Sequence, residues 1–400
     1  MSAGVDNFPY QRNQTEFACP SRLPQSIMWY YQNEEKVLRQ DFRHKVRDHS
    51  RGVCIFGTVP PPSKVATDKV EEFAKGIVNS LQSVEPDGVI VYDIQDEKSR
   101  SGEERPFPFS QTHEPREFAR LLVQHSSSDD GSTTQIEPIV FRAHEPSEAI
   151  RDKAHINKIY NWLNETWDEY DVRNLVLVGG SSIITHPTEE EELKPSMSVQ
   201  QISQLIVDEH DRDWLLGGIT IPERHRDRGN EHQRLLHKVE SGIEFFTSQV
   251  VYNADNAIWL LRDYDEACKE RNIKPVRIIF TFAPFGSDGT VKFLRWLGVE
   301  VPDGTMKRVL SRPTLKQRVD ESNEICWENF TRILAACQRL KISVPIGVSV
   351  ECVSKSKMES DGALELFKML KDEMLAFYSK RGVQISSQNC IEEEGEMGRA

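Results

Sequence analysis

Short apolar runs recur eight times along this chain, each followed by a stretch of helical character. They fall at residues 53–56, 88–92, 136–141, 175–178, 215–220, 245–251, 276–282 and 344–350. Near-continuous apolar character marks strands covered on both faces, and strand–helix alternation is what parallel pairing requires. The pattern reads as an α/β fold, a (β/α)8 TIM barrel. Such a barrel carries its active site on the loops after its strands, so the residues just past each run become the candidates for chemistry.

At 400 residues there is room for one large barrel, since the fold needs ~250 residues and more with insertions. The helical connectors are expected at 64–81, 147–167, 231–240, 254–270 and 364–378, and a long helix at 315–340. In the first, Val70, Phe73, Ala74, Ile77, Val78 and Leu81 form one apolar stripe. Residues 1–50 read as an N-terminal helical extension that packs on the barrel's outside or closes its bottom. Residues 51–383 are the barrel. Residues 384–400 are polar and acidic, ending in Glu392-Glu393-Glu394, and read as a disordered, flexible tail.

A net charge of −13 argues against a duplex nucleic-acid partner, because neutralising phosphates needs a basic face. No run approaches the ~20 apolar residues of a membrane span, and no secretory signal is evident. Seven cysteines without paired spacing suit reduced thiols. These points together lead to an expected cytoplasmic location.

The strand ends supply the candidates. Strand two ends in Asp93-Ile94-Gln95-Asp96-Glu97, either a solvated loop or an acidic functional site. Strand three ends in Arg142. Strand four ends in Gly179-Gly180-Ser181, a tight turn or a place for a flat ligand to approach the backbone. Strand five runs into Glu223 and His225. Gln249 lies among apolar neighbours, where an unpartnered amide is costly to bury; it either bonds within the core or faces the mouth and reads a ligand. Strand eight ends in Ser349 and Glu351. Asp93, Arg142, Ser181, Glu223, Gln249 and Glu351 are expected to line one shared rim. His225 and His232 lack metal-ligand spacing, so no metal site is expected. The Gly286-Ser287-Asp288-Gly289 turn stands where barrels often hold phosphate, which leaves open an enzyme acting on a phosphorylated small molecule.

Between Thr220 and Asp255 the chain resembles the methylenetetrahydrofolate reductase family. The carrying residues are Pro222-Glu223-Arg224-His225, then Glu231, Lys238-Val239-Glu240-Ser241-Gly242, Ser248-Gln249 and Asp255. Pro60-Pro61 after strand one and Ala283-Pro284-Phe285 after strand seven are also similar to that family. The resemblance implies an oxidoreductase of one-carbon metabolism, feeding methionine biosynthesis. It implies hydride transfer from NAD(P)H, through FAD, to methylenetetrahydrofolate. The matched positions imply that His225, Glu231 and Lys238 hold the flavin and that Gln249 bonds the folate; from their strand-end places Ser181 and Glu223 are added to the expected cofactor set and Arg142 to the expected substrate set. Barrels of the family often associate, so a homo-oligomer is among its implications.

Several positions depart from the family's pattern. Its catalytic glutamate on strand one aligns with Gly57. Its acid after strand four aligns with the Gly179-Gly180-Ser181 stretch. Its strand-three histidine aligns with Ile139, its strand-two threonine with Tyr92, and its motif tyrosine with Ile221. Two expectations follow. Either Asp93, Asp96 or Glu351 supplies the proton in place of the lost glutamate, or the barrel binds a folate or a partner without flavin-dependent turnover.

Overall fold

The computed structural model describes residues 41–96, 104–127, 135–143, 153–179, 197–210 and 212–397; the side chains of residue 41, residue 155 and residues 382–397 are outside that description. The strands are β1 (Val53–Thr58), β2 (Gly88–Val91), β3 (Pro138–Ala143), β4 (Asn174–Val178), β5 (Leu215–Thr220), β6 (Phe245–Val250), β7 (Arg277–Phe282) and β8 (Ile346–Glu351). All neighbours pair in parallel, and β8 returns to β1, closing the barrel. The expected TIM barrel is therefore the observed fold.

The helices, in chain order, are α1 (Asp41–Arg47), α2 (Thr67–Gln82), α3 (Pro115–Ser126), α4 (Lys153–Asp168), α5 (Val199–Glu209) and α6 (Pro222–Arg228). They continue as α7 (Glu231–Glu240), α8 (Ala254–Glu270), α9 (Asp288–Trp296), α10 (Asp303–Leu310), α11 (Leu315–Arg339) and α12 (Lys357–Met397). Helices α5 and α11 begin in capping boxes, Ser198 with Gln201 and Thr314 with Gln317, each satisfying two otherwise orphaned backbone donors. In α2 the stripe Val70, Ala74, Val78 and Leu81 is buried. Phe73, expected on it, sits at its edge, 48% exposed. The polar stretch expected from 384 falls on the far end of α12, beyond the described side chains.

Strand alternation sorts the apolar side chains into two sets. Val89, Val91, Leu175, Leu177, Phe246, Phe280 and Val348 point outward to the helices. Val53, Ile55, Ile90, Ile139, Val176, Leu215, Phe245 and Ile279 fill the interior, as a packed barrel core requires. Helix α1 completes that inner set: Phe42 and Val46 are buried in it, and the Phe42 ring meets Phe245 edge-on at 6.0 Å. Helix α1 thus closes the bottom of the barrel. Arg277 holds it there. Its guanidinium is fully buried and donates to the carbonyls of Val46 at 3.1 Å, Lys45 at 3.3 Å, Ile346 at 2.6 Å, and Asp48.

Cys54, Cys268, Cys326, Cys337 and Cys352 are free thiols. Among the described residues no helix is long and apolar enough to cross a membrane.

Truncating Phe42 to Ala should cost about 3–5 kcal/mol, the usual penalty for emptying a buried aromatic site. Urea unfolding of the variant measures this; a loss below ~1 kcal/mol would show that the barrel bottom does not depend on the plug.

Candidate functional site

At the opposite end, the C-terminal mouth, three strands bring together Gly57, Tyr92 and Glu351. Gly57 and Glu351 are direct register partners across the β1–β8 seam. A β-carbon at Gly57 would lie 2.9 Å from Tyr92 Cε2, 3.1 Å from the Tyr92 hydroxyl and 3.1 Å from Glu351 Cβ. The missing side chain is what lets the phenol and the carboxyl occupy this corner together. Tyr92 donates a hydrogen bond to Glu351. Desolvation pushes the Glu351 carboxyl up to about 7, and the Tyr92 hydrogen bond works against that rise by favouring the ionised form. Burial also holds the phenol well above its ordinary value.

The floor beneath Glu351 has two halves. On β2 to β5 it is apolar: Tyr92 and Phe141, edge-on at 4.6 Å, with Val178 and Ile219. On β6 to β8 the inward positions carry hydroxyls, Thr247, Thr281 and Ser349, all buried. Thr247 Oγ1 and Ser349 Oγ have no hydrogen-bond partner. Buried hydroxyls rarely stay unpaired, so this floor suits a ligand with one apolar face and edge groups that bond. A register shift in β6 between Thr247 and Val250 lies beside it, and such bulges re-aim side chains next to sites.

The expected shared rim does not form as a set. Arg142 points outward: its guanidinium lies over the Trp162 ring of α4 at 4.6 Å, in a cleft shared with Glu114, Arg116 and Glu165. It occupies the even, outward parity of β3, and so is not at the mouth. Asp93 accepts from the Ala143 amide at 3.1 Å and from Gln95, tying the end of β2 to the end of β3. Desolvation raises its pKa, with Arg142 and Glu114 as charged neighbours. Asp96 is exposed and ion-paired with Arg105 at 3.1 Å. Neither aspartate joins Glu351. Gln249 is partly buried, its Nε2 donating to the Leu297 carbonyl at 3.1 Å and its Oε1 accepting from Val250 at 3.1 Å. Ser181 and Gly180 lie outside the described residues.

Glu223 is buried, with neither carboxyl oxygen hydrogen-bonded. Desolvation raises it to about 7. Glu231, fully buried, accepts from the Ile221 amide at 3.1 Å and from Thr220. Lys238 donates to the Ile219 carbonyl at 2.6 Å, and desolvation lowers it to about 8. His225, 5% exposed, pairs through Nε2 with Asp263 Oδ2 at 2.8 Å. Of the five residues expected to hold a flavin, the four that are described, Glu223, His225, Glu231 and Lys238, are buried, and three of these bond the protein itself. The described part of this donor set does not fit a dinucleotide.

The Gly286 turn is filled as well. Glu359, 1% exposed, accepts from the amides of Gly286 at 2.6 Å and Ser287 at 3.1 Å, and from Thr290 Oγ1. The protein's own carboxylate occupies the anion position that a phosphate would need, which removes the basis for a phosphate site there.

Tyr92, Thr247 and Asp263 were missed as candidates. The first two could have been found by extending each strand's inward parity to its end; Asp263 lies mid-helix and carries no such signal.

A scan of protein-family models finds no match, and a search of curated proteins finds none either. Among solved structures, an uncharacterized protein from Clostridium thermocellum that binds two copies of 5-methyl-5,6,7,8-tetrahydrofolic acid superposes with a TM-score of 0.62. Its identity is 24%, over 84% of this chain and 99% of that one. A monooxygenase from Streptomyces bottropensis gives a TM-score of 0.45 at 11% identity, over 81% of this chain and 99% of that one. The first comparison shows a shared fold.

Two outcomes are expected here. Glu223 is neutral in both states below about pH 4.5; as pH rises toward about 7 the unfolded chain ionises it and the folded chain does not. Stability should therefore fall across this window, by on the order of 2–3 kcal/mol more in the wild type than in Glu223→Gln. Urea unfolding at successive pH values reads the difference, and equal slopes would place the carboxyl in water. Tyr92→Phe removes a donor that favours ionised Glu351, so the Glu351 pKa should move above about 7; carboxyl-resolved NMR titration reads the direction.

Proposed function

We propose that the chain binds a reduced folate in the barrel mouth, with Glu351 as proton donor for nicotinamide-dependent reduction of methylenetetrahydrofolate. The observation that carries this reading is the pairing of Gly57 with Glu351 across β1 and β8. Where the resembled family keeps its acid on strand one, this chain has glycine, and a carboxyl stands at the same level on the adjacent strand. Neighbouring strands lie ~4.8 Å apart, so the acid shifts by one strand spacing without leaving the rim. A general acid needs reach and a pKa near the working pH, and Glu351 is raised to about 7.

The floor supports a pterin-like ring. Phe141, Val178 and Ile219 offer an apolar surface, and the unpaired Thr247 and Ser349 hydroxyls offer bonds to ring nitrogens and a carbonyl. The methyltetrahydrofolate bound by the Clostridium thermocellum protein, whose fold this chain shares, is in keeping with that ligand class. The reduction adds a hydride to the one-carbon bridge and a proton to the nitrogen released from it. A reduced nicotinamide supplies the hydride. Glu351 delivers the proton, and Tyr92, hydrogen-bonded to it, fixes the carboxyl in place. Free buried thiols and a non-basic surface are in keeping with a reducing, cytoplasmic setting.

A second reading, folate binding without turnover, is favoured by the engagement of His225, Glu231 and Lys238 within the protein.

The test measures tetrahydrofolate and methyltetrahydrofolate binding by thermal shift, and NAD(P)H oxidation with methylenetetrahydrofolate. The expected result is binding, with turnover that declines as pH rises through about 7, where Glu351 loses its proton. Glu351→Gln should lower the rate by ~10²-fold or more while leaving binding within a few-fold. Binding without oxidation supports the second reading. No shift with any reduced folate overturns both.

A further inference from the structure

Outside the barrel mouth, three helices converge on a cluster that neither the fold's closure nor the proposed chemistry uses. His225 lies in the middle of α6, His232 in the first turn of α7 and Asp263 within α8. Each offers an atom to the same point, all within 4.8 Å of one another. His225 Nε2 and Asp263 Oδ2 are already 2.8 Å apart, and the two imidazole rings stand perpendicular at 5.2 Å between centroids. Nδ1 of each histidine is buried without a hydrogen-bond partner. His225 is nine-tenths buried, whereas His232 is partly exposed and gives a path from solvent.

We propose that His225, His232 and Asp263 form a binding site for a divalent transition ion of the zinc type. Two imidazoles and a carboxylate are zinc's ordinary protein ligands, with a water completing the tetrahedron. Bonds of ~2.0–2.1 Å place neighbouring ligand atoms roughly 3.3–3.5 Å apart, so a pair at the 4.8 Å limit closes by roughly 1.4 Å, within the reach of side-chain rotation. Imidazole content selects zinc, cobalt or nickel over magnesium or calcium, which demand oxygen. The remaining Asp263 oxygen, Oδ1, accepts from Arg262 Nε at 2.7 Å, an outer bond of the kind that orients metal-binding carboxylates.

The ion would join α6, α7 and α8 from outside the barrel. Helix α6 follows directly on β5, through Ile221. Its role is bracing: it fixes the segment that descends from the mouth. The site stands independently of the folate reading.

The experiment uses the full chain, free of any tag and stripped with chelator. Zinc or cobalt is added, excess is removed by desalting, and retained metal is counted. The expected result is about one ion per chain, visible cobalt absorption typical of four-coordination, and a melting temperature raised by zinc and not by magnesium. His232→Asn and Asp263→Asn should each weaken cobalt binding at least ~10-fold, with the metal-free circular dichroism unchanged. A second readout needs no variant: zinc should protect His232 of the wild type, the partly exposed member, from carbethoxylation. Equal metal retention by wild type and variants, or modification of His232 unaffected by zinc, overturns the assignment.

Discussion

One buried guanidinium keeps the bottom of this barrel shut. Arg277 sits on the inward parity of β7, where an apolar residue would be expected, and reaches the last carbonyls of α1. Those carbonyls have no partner within their own helix. A buried charge is tolerated only when its donors are met, and here backbone carbonyls and the Tyr378 hydroxyl meet them. The helix that carries Phe42 and Val46 is thereby pinned into the inner core. Because the lower interior is filled and dry, the polar inward positions collect at the other end, where Glu351, Thr247 and Ser349 lie.

The barrel was legible because its signal is repeated. Each strand is a short apolar run, and the strands begin within about two residues of the expected positions. The helix before the first strand was legible, but not its place: the barrel's outside and its bottom both stayed open, and the burial of Phe42 and Val46 decides for the bottom. Strand ends were another matter. A one-residue change in parity moves a side chain from the mouth to the helix layer. Arg142 and Asp93 sit on the wrong parity to share the mouth with Glu351, and their composition alone does not say so. Glu351 was among three carboxylates offered for the acid; only the pairing of β8 with β1 singles it out, and that pairing spans nearly the whole chain.

The charged residues that carry the resemblance, Glu223, His225, Glu231 and Lys238, are buried. Glu231 and Lys238 are satisfied by backbone groups at the end of β5, bracing the corner between β5 and α6. Glu359 shows the same principle at the next corner, where a side chain from α12 takes the anion position before α9. No local spacing announces this, because the carboxylate comes from about 70 residues away. The His225, His232 and Asp263 cluster is hidden for a similar reason: three separate helices supply it.

Glu223 and Glu351 are both raised to about 7, yet the causes lead to different conclusions. Glu223 has lost water and no other side chain donates to it, so its raised pKa is a cost carried by the fold. Glu351 has lost water but keeps one donor, Tyr92, and faces the interior space above unpaired hydroxyls. Of the two, only Glu351 stands on an inward position at the barrel mouth. The glycine opposite it is then part of the same arrangement. A side chain at Gly57 would collide with Tyr92 and crowd Glu351, so a glutamate on β1 and the Tyr92–Glu351 pair exclude each other sterically. The corner at the β1–β8 seam therefore has room for the Tyr92–Glu351 pair only because β1 carries no side chain there.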